Sequence, residues 1–122
     1  MEDPAKLVRQ WWDVWSDGDL DVLDRIIADT FVRHGPQGTE IRTRAQVKED
    51  MVQYRESMEI ATMRVDAQTV DGDTVWTRLT TTGVNLKTEE PVTMSWLQVF
   101  RIADGRLAEL WRLYALGVDW SG

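Results

Sequence analysis

The sequence predicts a single α+β domain spanning residues 1–122, with three N-terminal helices packed on a mostly antiparallel sheet. Two patterns and one size limit lead to this fold class. Apolar residues recur at helical spacing in the first half of the chain and alternate with polar residues in the second half. A chain of 122 residues forms one core and one pocket, and it is too short for a two-domain enzyme.

Two helices are predicted before residue 30. Asp3-Pro4 supplies a cap and a first-turn proline for the first helix. The apolar side of this helix consists of Leu7, Val8, Trp11, Trp12 and Trp15. Asp17-Gly18-Asp19 ends the helix, and Asp19 is placed to cap a second one. The apolar stripe of the second helix consists of Leu20, Leu23, Ile26 and Ile27.

A short extended segment and a third helix follow. The segment Thr30–Pro36 is rich in strand-forming residues and ends in the turn residues Gly35 and Pro36. Thr43-Arg44-Ala45-Gln46 has the spacing of a capping box, so we expect the third helix to begin there. Its apolar side consists of Val47, Met51, Tyr54 and Met58.

Four strands are predicted in the second half of the chain, at Ile60–Val70, Thr74–Asn85, Val92–Ile102 and Arg106–Val118. Asp71-Gly72 and Asp104-Gly105 are typical of tight hairpin turns, and residues 87–91 form a longer loop. We expect the helices to cover one face of this meander. The other face is then half apolar and needs a partner.

The composition excludes several classes of function. A formal net charge of −7 argues against a nucleic-acid partner. The chain has no cysteine, one histidine and no glycine-rich nucleotide motif, so we expect no metal and no cofactor. No apolar run approaches about 18 residues and the N-terminus does not resemble a signal peptide, so we expect no membrane partner and a cytoplasmic location. The seven tryptophans either fill the core or line a cavity.

Two segments resemble a known family. Val8–Pro36, which reads VRQWWDVWSDGDLDVLDRIIADTFVRHGP, is similar to the opening of the SnoaL-like polyketide cyclases and ketosteroid isomerases, within the nuclear transport factor 2-like superfamily. Val99–Tyr114, which reads VFRIADGRLAELWRLY, is similar to the closing hairpin of this family. The resemblance implies a cone-shaped α+β barrel, with a pocket between a curved sheet and three helices. It also implies a homodimer packed through the convex face of the sheet.

The resemblance suggests two catalytic residues. His34, the only histidine, lies where the ketosteroid isomerases hold the carboxylate that shuttles the proton, which would make it the general base. Gln98 alternates with large apolar residues near the position of the isomerases' oxyanion-stabilising acid, so its amide would donate to an oxyanion. The alternatives are a histidine satisfied by a backbone carbonyl and a buried structural amide.

Arg112 and Tyr114 complete the expected catalytic set, and they share one face of the last predicted strand. The resemblance places Tyr114 near an aromatic pocket residue of the isomerases, where it would hold the oxyanion together with Gln98. The family usually has an aspartate after the tryptophan of this strand, whereas here Trp111 is followed by Arg112. A family histidine position corresponds to Asn85. Arg112 is therefore expected to fix a polar end of the substrate, namely a carboxylate, a phosphate or an enolate oxygen, and an exposed ion pair is the alternative.

The expected substrate-binding residues are mostly aromatic. They are Trp11, Trp15, Tyr54, Trp76, Arg78 and Trp96. Each of the aromatic residues is alternatively part of the core. Arg78 is expected to contact a carboxylate, a phosphate or an enolate oxygen, with a surface ion pair as the alternative.

Together with these residues, the resemblance implies a cofactor-independent enzyme that cyclises or isomerises a hydrophobic, polyketide-like small molecule by proton transfer. Two other functions stay open. Epoxide hydrolysis or epoxide-opening ether formation requires a carboxylate inside the pocket, for which Asp66 and Glu109 are the candidates. A small-molecule-binding protein without catalytic activity requires no acid or base in the pocket.

Overall fold

Helices occupy the first part of the chain and strands the last, in a computed structural model that describes residues 3–16 and 18–121. The helices are α1 (Pro4–Ser16), α2 (Leu23–Ile26), which continues a 3₁₀ turn at Leu20–Val22, and α3 (Arg44–Ser57). The strands are β1 (Ile27–Gly35), β2 (Gly38–Thr43), β3 (Met58–Asp71), β4 (Thr74–Asn85), β5 (Glu90–Ala103) and β6 (Arg106–Leu116). The predicted α+β class is confirmed.

The six strands form one sheet in the order β2-β1-β6-β5-β4-β3. All neighbouring strands are antiparallel except β1 and β6, which run parallel. The sheet is not closed, because β2 and β3 remain as its two edges. Three helices on a mostly antiparallel sheet confirm the predicted architecture. The helices cover one face of the sheet, which we call the inner face, and we call the opposite face the outer face.

The first two helices begin as predicted, but the second is short. The N–H of Ala5 donates to Asp3 Oδ1 at 3.1 Å, which satisfies one free donor at the start of α1. Asp19 accepts a hydrogen bond from the N–H of Asp21 and caps the 3₁₀ turn. The second helix ends early because Ile27 is already extended and starts β1. Asp17, part of the predicted helix break, lies outside the described residues.

The third helix begins at the predicted capping box. The N–H of Gln46 donates to Thr43 Oγ1 at 3.2 Å, and the N–H of Thr43 donates to Gln46 Oε1 at 2.9 Å. Val47 and Met51 are fully buried and anchor α3 against the sheet. The helix ends at Ser57, where the chain turns directly into β3.

The tight turns follow the local sequence. Asp104 and Gly105 both have positive φ, 53° and 75°, as a two-residue type I′ turn requires. In the β3–β4 hairpin, Asp71 still pairs with Thr74, so the turn residues are Gly72 and Asp73 rather than Asp71 and Gly72. A further hairpin joins β1 and β2, where the sequence predicted one short strand followed by a turn.

The core lies between α1 and the inner face of the sheet. The Trp11 ring stacks on Phe31 at a centroid distance of 5.2 Å and meets Phe100 edge-on at 5.7 Å. All three side chains are almost fully buried, so they join α1 to β1 and β5. Within the described residues no helix is long and apolar enough to span a bilayer.

Candidate functional site

A cavity of about 430 Å³ opens between the inner face of the sheet and helices α1 and α3. Its walls are rich in aromatic side chains, which are Trp11, Trp12, Trp15, Tyr54, Trp96 and Tyr114. A cavity of this volume holds a small organic molecule, and aromatic walls favour apolar rings.

Two neighbouring strands carry several of the polar side chains of the cavity. Gln98 and Trp96 lie on β5, directly across from Arg112 and Tyr114 on β6. Because side chains alternate along a strand, all four reach the inner face and line the cavity. The rings of Trp96 and Tyr114 lie 5.1 Å apart and form one side of the wall.

The amide of Gln98 has a fixed orientation. Trp12 Nε1 donates a hydrogen bond to Gln98 Oε1 at 2.9 Å, and both side chains are buried. Indole N–H is only a donor, so the carbonyl end of the amide must face Trp12. The Nε2 of Gln98 has no hydrogen-bond partner in the described parts of the chain and remains available as a donor.

Arg112 brings a positive charge to the cavity. Its Nε is buried without a hydrogen-bond partner among the described residues, and its side chain lies beside Gly35, at whose position a Cβ would be 3.8 Å from Nε. Burial lowers the pKa of the Arg112 guanidinium, and the nearby charge of Arg33 lowers it further.

Two tyrosine hydroxyls add further donors. Tyr54, on α3, meets Trp15 edge-on at a centroid distance of 4.9 Å. Burial raises the pKa of the Tyr54 hydroxyl, while the positive charge of Arg112 acts in the opposite direction. Tyr114 is more exposed than Tyr54 and stands nearer the solvent.

Asp50 also lines the cavity, although it is not among the candidate residues predicted from the sequence. Arg42 donates to its carboxylate at 2.7 and 3.1 Å, and Arg33 donates at 3.0 Å. A signal for this residue exists in the sequence. Asp50 lies three residues after Val47 and four before Tyr54, so it is a carboxylate within the apolar stripe of α3.

His34 does not line this cavity, so the structure does not bring the expected general base together with Gln98. On β1 the buried side chains of Phe31 and Arg33 occupy the inner face, so His34 is directed to the outer face. There its Nε2 lies 2.6 Å from Glu109 Oε2, and its ring stacks on Trp111 at 5.1 Å. Next to His34 on β1, the side chain that faces inward is that of Arg33.

Trp76 and Arg78 also lie outside the cavity. They alternate along β4 with the buried residues Val75, Thr77 and Leu79, so they occupy the outer face. Trp76 is 54% exposed. Arg78 donates to the backbone carbonyl of Trp120 at 2.7 Å.

The carboxylates of Asp66 and Glu109 do not reach the cavity either. Asp66 accepts a hydrogen bond from Thr80 at 2.6 Å and pairs with Arg64 at 3.0 Å. Glu109 pairs with His34 and Arg101. In residues 3–16 and 18–121, no group of three or more His, Cys, Asp or Glu is placed to hold a metal ion.

Comparison with known proteins gives one family. A family model described as a SnoaL-like domain matches residues 8–110 of the chain. No curated protein matches the sequence significantly.

Solved structures share the fold over nearly the whole chain. IdmH, a proposed polyketide cyclase from Streptomyces antibioticus, is 23% identical with a TM-score of 0.81, covering 93% of this chain and 92% of its own. A proposed polyketide cyclase from Acidithiobacillus ferrooxidans is 21% identical with a TM-score of 0.78, covering 93% and 89%. An LEH-like epoxide hydrolase from M. tuberculosis is 17% identical with a TM-score of 0.77, covering 92% and 82%. At these identities the likeness establishes the fold.

Proposed function

Because the chain belongs to the SnoaL-like domain family, we propose that it is a cofactor-independent enzyme that transfers a proton on a hydrophobic, polyketide-like carbonyl compound. The product is a cyclised or isomerised molecule. The observation that carries the proposal is the free Nε2 donor of Gln98, which stands in an aromatic cavity that also presents the Asp50 carboxylate.

In the proposed reaction, Asp50 takes the proton from the carbon next to the carbonyl group. The electron pair of the broken C–H bond moves to the carbonyl oxygen, which becomes an enolate. A carboxylate is a weak base for a carbon acid, so the enolate must be stabilised as it forms. Gln98 Nε2 and the Tyr114 hydroxyl are the donors proposed for this oxygen.

The enolate then reacts in one of two ways. Return of the proton from Asp50 to a different carbon isomerises the substrate. Attack of the enolate carbon on a second carbonyl group of the same molecule closes a ring, and the new alkoxide takes up the proton. The aromatic walls favour both outcomes, because they exclude water and hold the substrate folded.

Proton exchange tests this proposal without knowledge of the natural substrate. The enolisable two-ring ketone 2-tetralone is incubated with the protein in D₂O at about pH 7, and loss of the α-proton signal is followed by NMR. We expect the parent protein to accelerate exchange by about 100-fold or more over buffer. Asp50→Asn and Gln98→Leu each remove a group that acts in the transition state, and we expect each to lower the acceleration about 100-fold.

Asp13→Asn is the matched control, because it removes an exposed carboxylate from α1 and should leave exchange unchanged. Circular dichroism of each variant verifies the fold. Loss of exchange in His34→Ala with full exchange in Asp50→Asn would contradict the assignment of the base.

A protein that binds ligands without turnover is the second candidate. The observation that favours it is the engagement of Asp50, whose two oxygens already accept three hydrogen bonds from Arg33 and Arg42. In this case 2-tetralone binds in calorimetric titrations, whereas its α-protons exchange no faster than in buffer.

A further inference from the structure

The guanidinium of Arg112 lacks a counter-ion in the described structure. Other arginines around the sheet and α3 pair with carboxylates, as Arg33 and Arg42 do with Asp50 and Arg101 does with Glu109. Arg112 forms no ion pair and no hydrogen bond with any residue of the ranges 3–16 and 18–121, and its Nε is buried without a partner. A buried N–H without an acceptor destabilises a protein unless a ligand or water accepts its hydrogen bond.

The charges around Arg112 do not balance. Asp50 and Glu40 face three guanidiniums, those of Arg33, Arg42 and Arg112. Both carboxylates bond to Arg33, and Asp50 also bonds to Arg42, so neither is left to pair with Arg112. One positive charge therefore remains at the cavity, in a chain whose net charge is −7.

The side chain of Arg112 places this charge at the wall of the cavity, where a ligand would bind. Its side chain lies over Gly35 of β1 and lines the cavity, with Gln98 directly across on β5 and Leu110 and Tyr114 on either side along β6. A guanidinium offers parallel N–H donors that match the two oxygens of a carboxylate. The aromatic walls beside it bind an apolar body.

We propose that the ligand of this cavity is an amphipathic organic anion, with an aromatic or polycyclic body between the tryptophans and a carboxylate bound by Arg112. The inference rests on the proposed function, since it names the ligand class of the same cavity. The transient enolate is assigned to Gln98 and Tyr114. Arg112 instead binds the carboxylate of the ligand, which is charged both before and after the reaction. Arg112 therefore acts in binding and positioning.

The test compares two probes that share one ring system and differ in charge and by one methyl group. Binding of 2-naphthylacetate and of its methyl ester is measured by isothermal titration calorimetry at about pH 7, for the parent protein, Arg112→Gln and Arg64→Gln. Arg64 is the matched control, because its loss changes the net charge equally and its side chain is 59% exposed, outside the cavity. We expect the parent protein and Arg64→Gln to bind the carboxylate about tenfold or more tightly than the ester, and Arg112→Gln to bind both equally.

Arg112→Lys provides a second variant in case Arg112→Gln does not fold. Lysine keeps the charge and loses the paired donors, so we expect a preference for the carboxylate that is weaker than in the parent protein. Equal binding of the two probes by the parent protein, binding of neither, or a preference that survives in Arg112→Gln would overturn the inference. A protein that prefers the carboxylate through Arg112 but accelerates no proton exchange would refute the proposed reaction alone.

Discussion

At the scale of single residues, the hydrogen bond between Trp12 and Gln98 determines which end of the Gln98 amide faces a ligand in the cavity. An unconstrained amide presents either its oxygen or its nitrogen to a ligand, whereas here the oxygen is held by the indole N–H. The nitrogen is thus the end left for the ligand. A cavity lined by this amide and by Arg112 offers donors and therefore selects acceptors, such as carbonyl oxygens, enolates and carboxylates.

Glu109 should make the stability of the protein depend on pH. Its hydrogen bond with His34 holds the pKa of the Glu109 carboxyl below its ordinary value of 4.5, and Arg101 lowers it further. A depressed carboxyl pKa stabilises the folded state above the unfolded pKa, and this contribution is lost as the pH falls through the folded pKa. We expect Glu109→Gln to lower the free energy of unfolding by about 1 kcal/mol near neutral pH and by much less near pH 3.

Urea denaturation of both proteins between about pH 3 and pH 7 measures this difference. Glu49→Gln is the control, because Glu49 is exposed on α3 and its removal should change stability little at any pH. A difference between the parent protein and Glu109→Gln that stays constant with pH would show that packing, and not charge, explains the loss.

Most of the cavity residues proposed from the sequence line the cavity, and His34 shows how a residue is assigned to the wrong face. Gln98, Arg112 and Tyr114 lie in strands whose alternation is plain, and all three line the cavity. His34 follows directly after Arg33, whose side chain faces inward on β1. A shift of one residue in a strand exchanges its two faces. Family resemblance over a short strand does not resolve that shift.

At the scale of secondary structure, the capping box of α3 positions both Asp50 and Tyr54. We expect Thr43→Ala to lower the free energy of unfolding by about 1 kcal/mol, because it leaves the N–H of Gln46 without its acceptor. Thr43→Ser is the matched variant, since it retains the hydroxyl and should stay within a few tenths of a kcal/mol of the parent protein. Chemical denaturation measures both, and equal losses in the two variants would contradict the capping role.

Local signals predicted the helix starts and the hairpins of the second half of the chain, and long-range pairing was not predictable. The turn at Asp104-Gly105 depends on two residues with positive φ, and neighbouring residues alone encode it. The edge strand β2 is almost entirely exposed, so it lacks the alternation of buried and exposed positions that identifies strands. The parallel pairing of β1 with β6 joins residues far apart in sequence and leaves no local pattern.

At the scale of the whole molecule, the outer face of the sheet is an apolar surface that the helices leave uncovered. Its centre contains the exposed side chains of Trp76, Leu97, Trp111 and Leu113. Leu97 and Leu113 are direct cross-strand neighbours on β5 and β6. An apolar sheet face of this kind is typically covered in an oligomer.

We predict a homodimer that packs through this outer face. Light scattering after size-exclusion chromatography should give the mass of two 14.1 kDa chains at micromolar concentration. The double variant Leu97→Asp, Leu113→Asp should give the mass of one chain. In a dimer, its two introduced carboxylates would be buried against the same carboxylates of the second chain across the two-fold axis. Leu86→Asp, in the turn between β4 and β5, should leave the dimer intact. A parent protein with the mass of one chain would contradict the prediction.

The position of β6 between β1 and β5 has a consequence for the order of folding. The hairpins from β3 to β6 close over short distances along the chain, whereas β1 meets β6 across 75 residues, as the contact of His34 with Glu109 shows. Closing so long a loop loses much chain entropy before any contact compensates it, which slows folding. Because the cavity is built from α1 and β6 together, we expect it to form late in folding, so that ligand affinity reports completed folding.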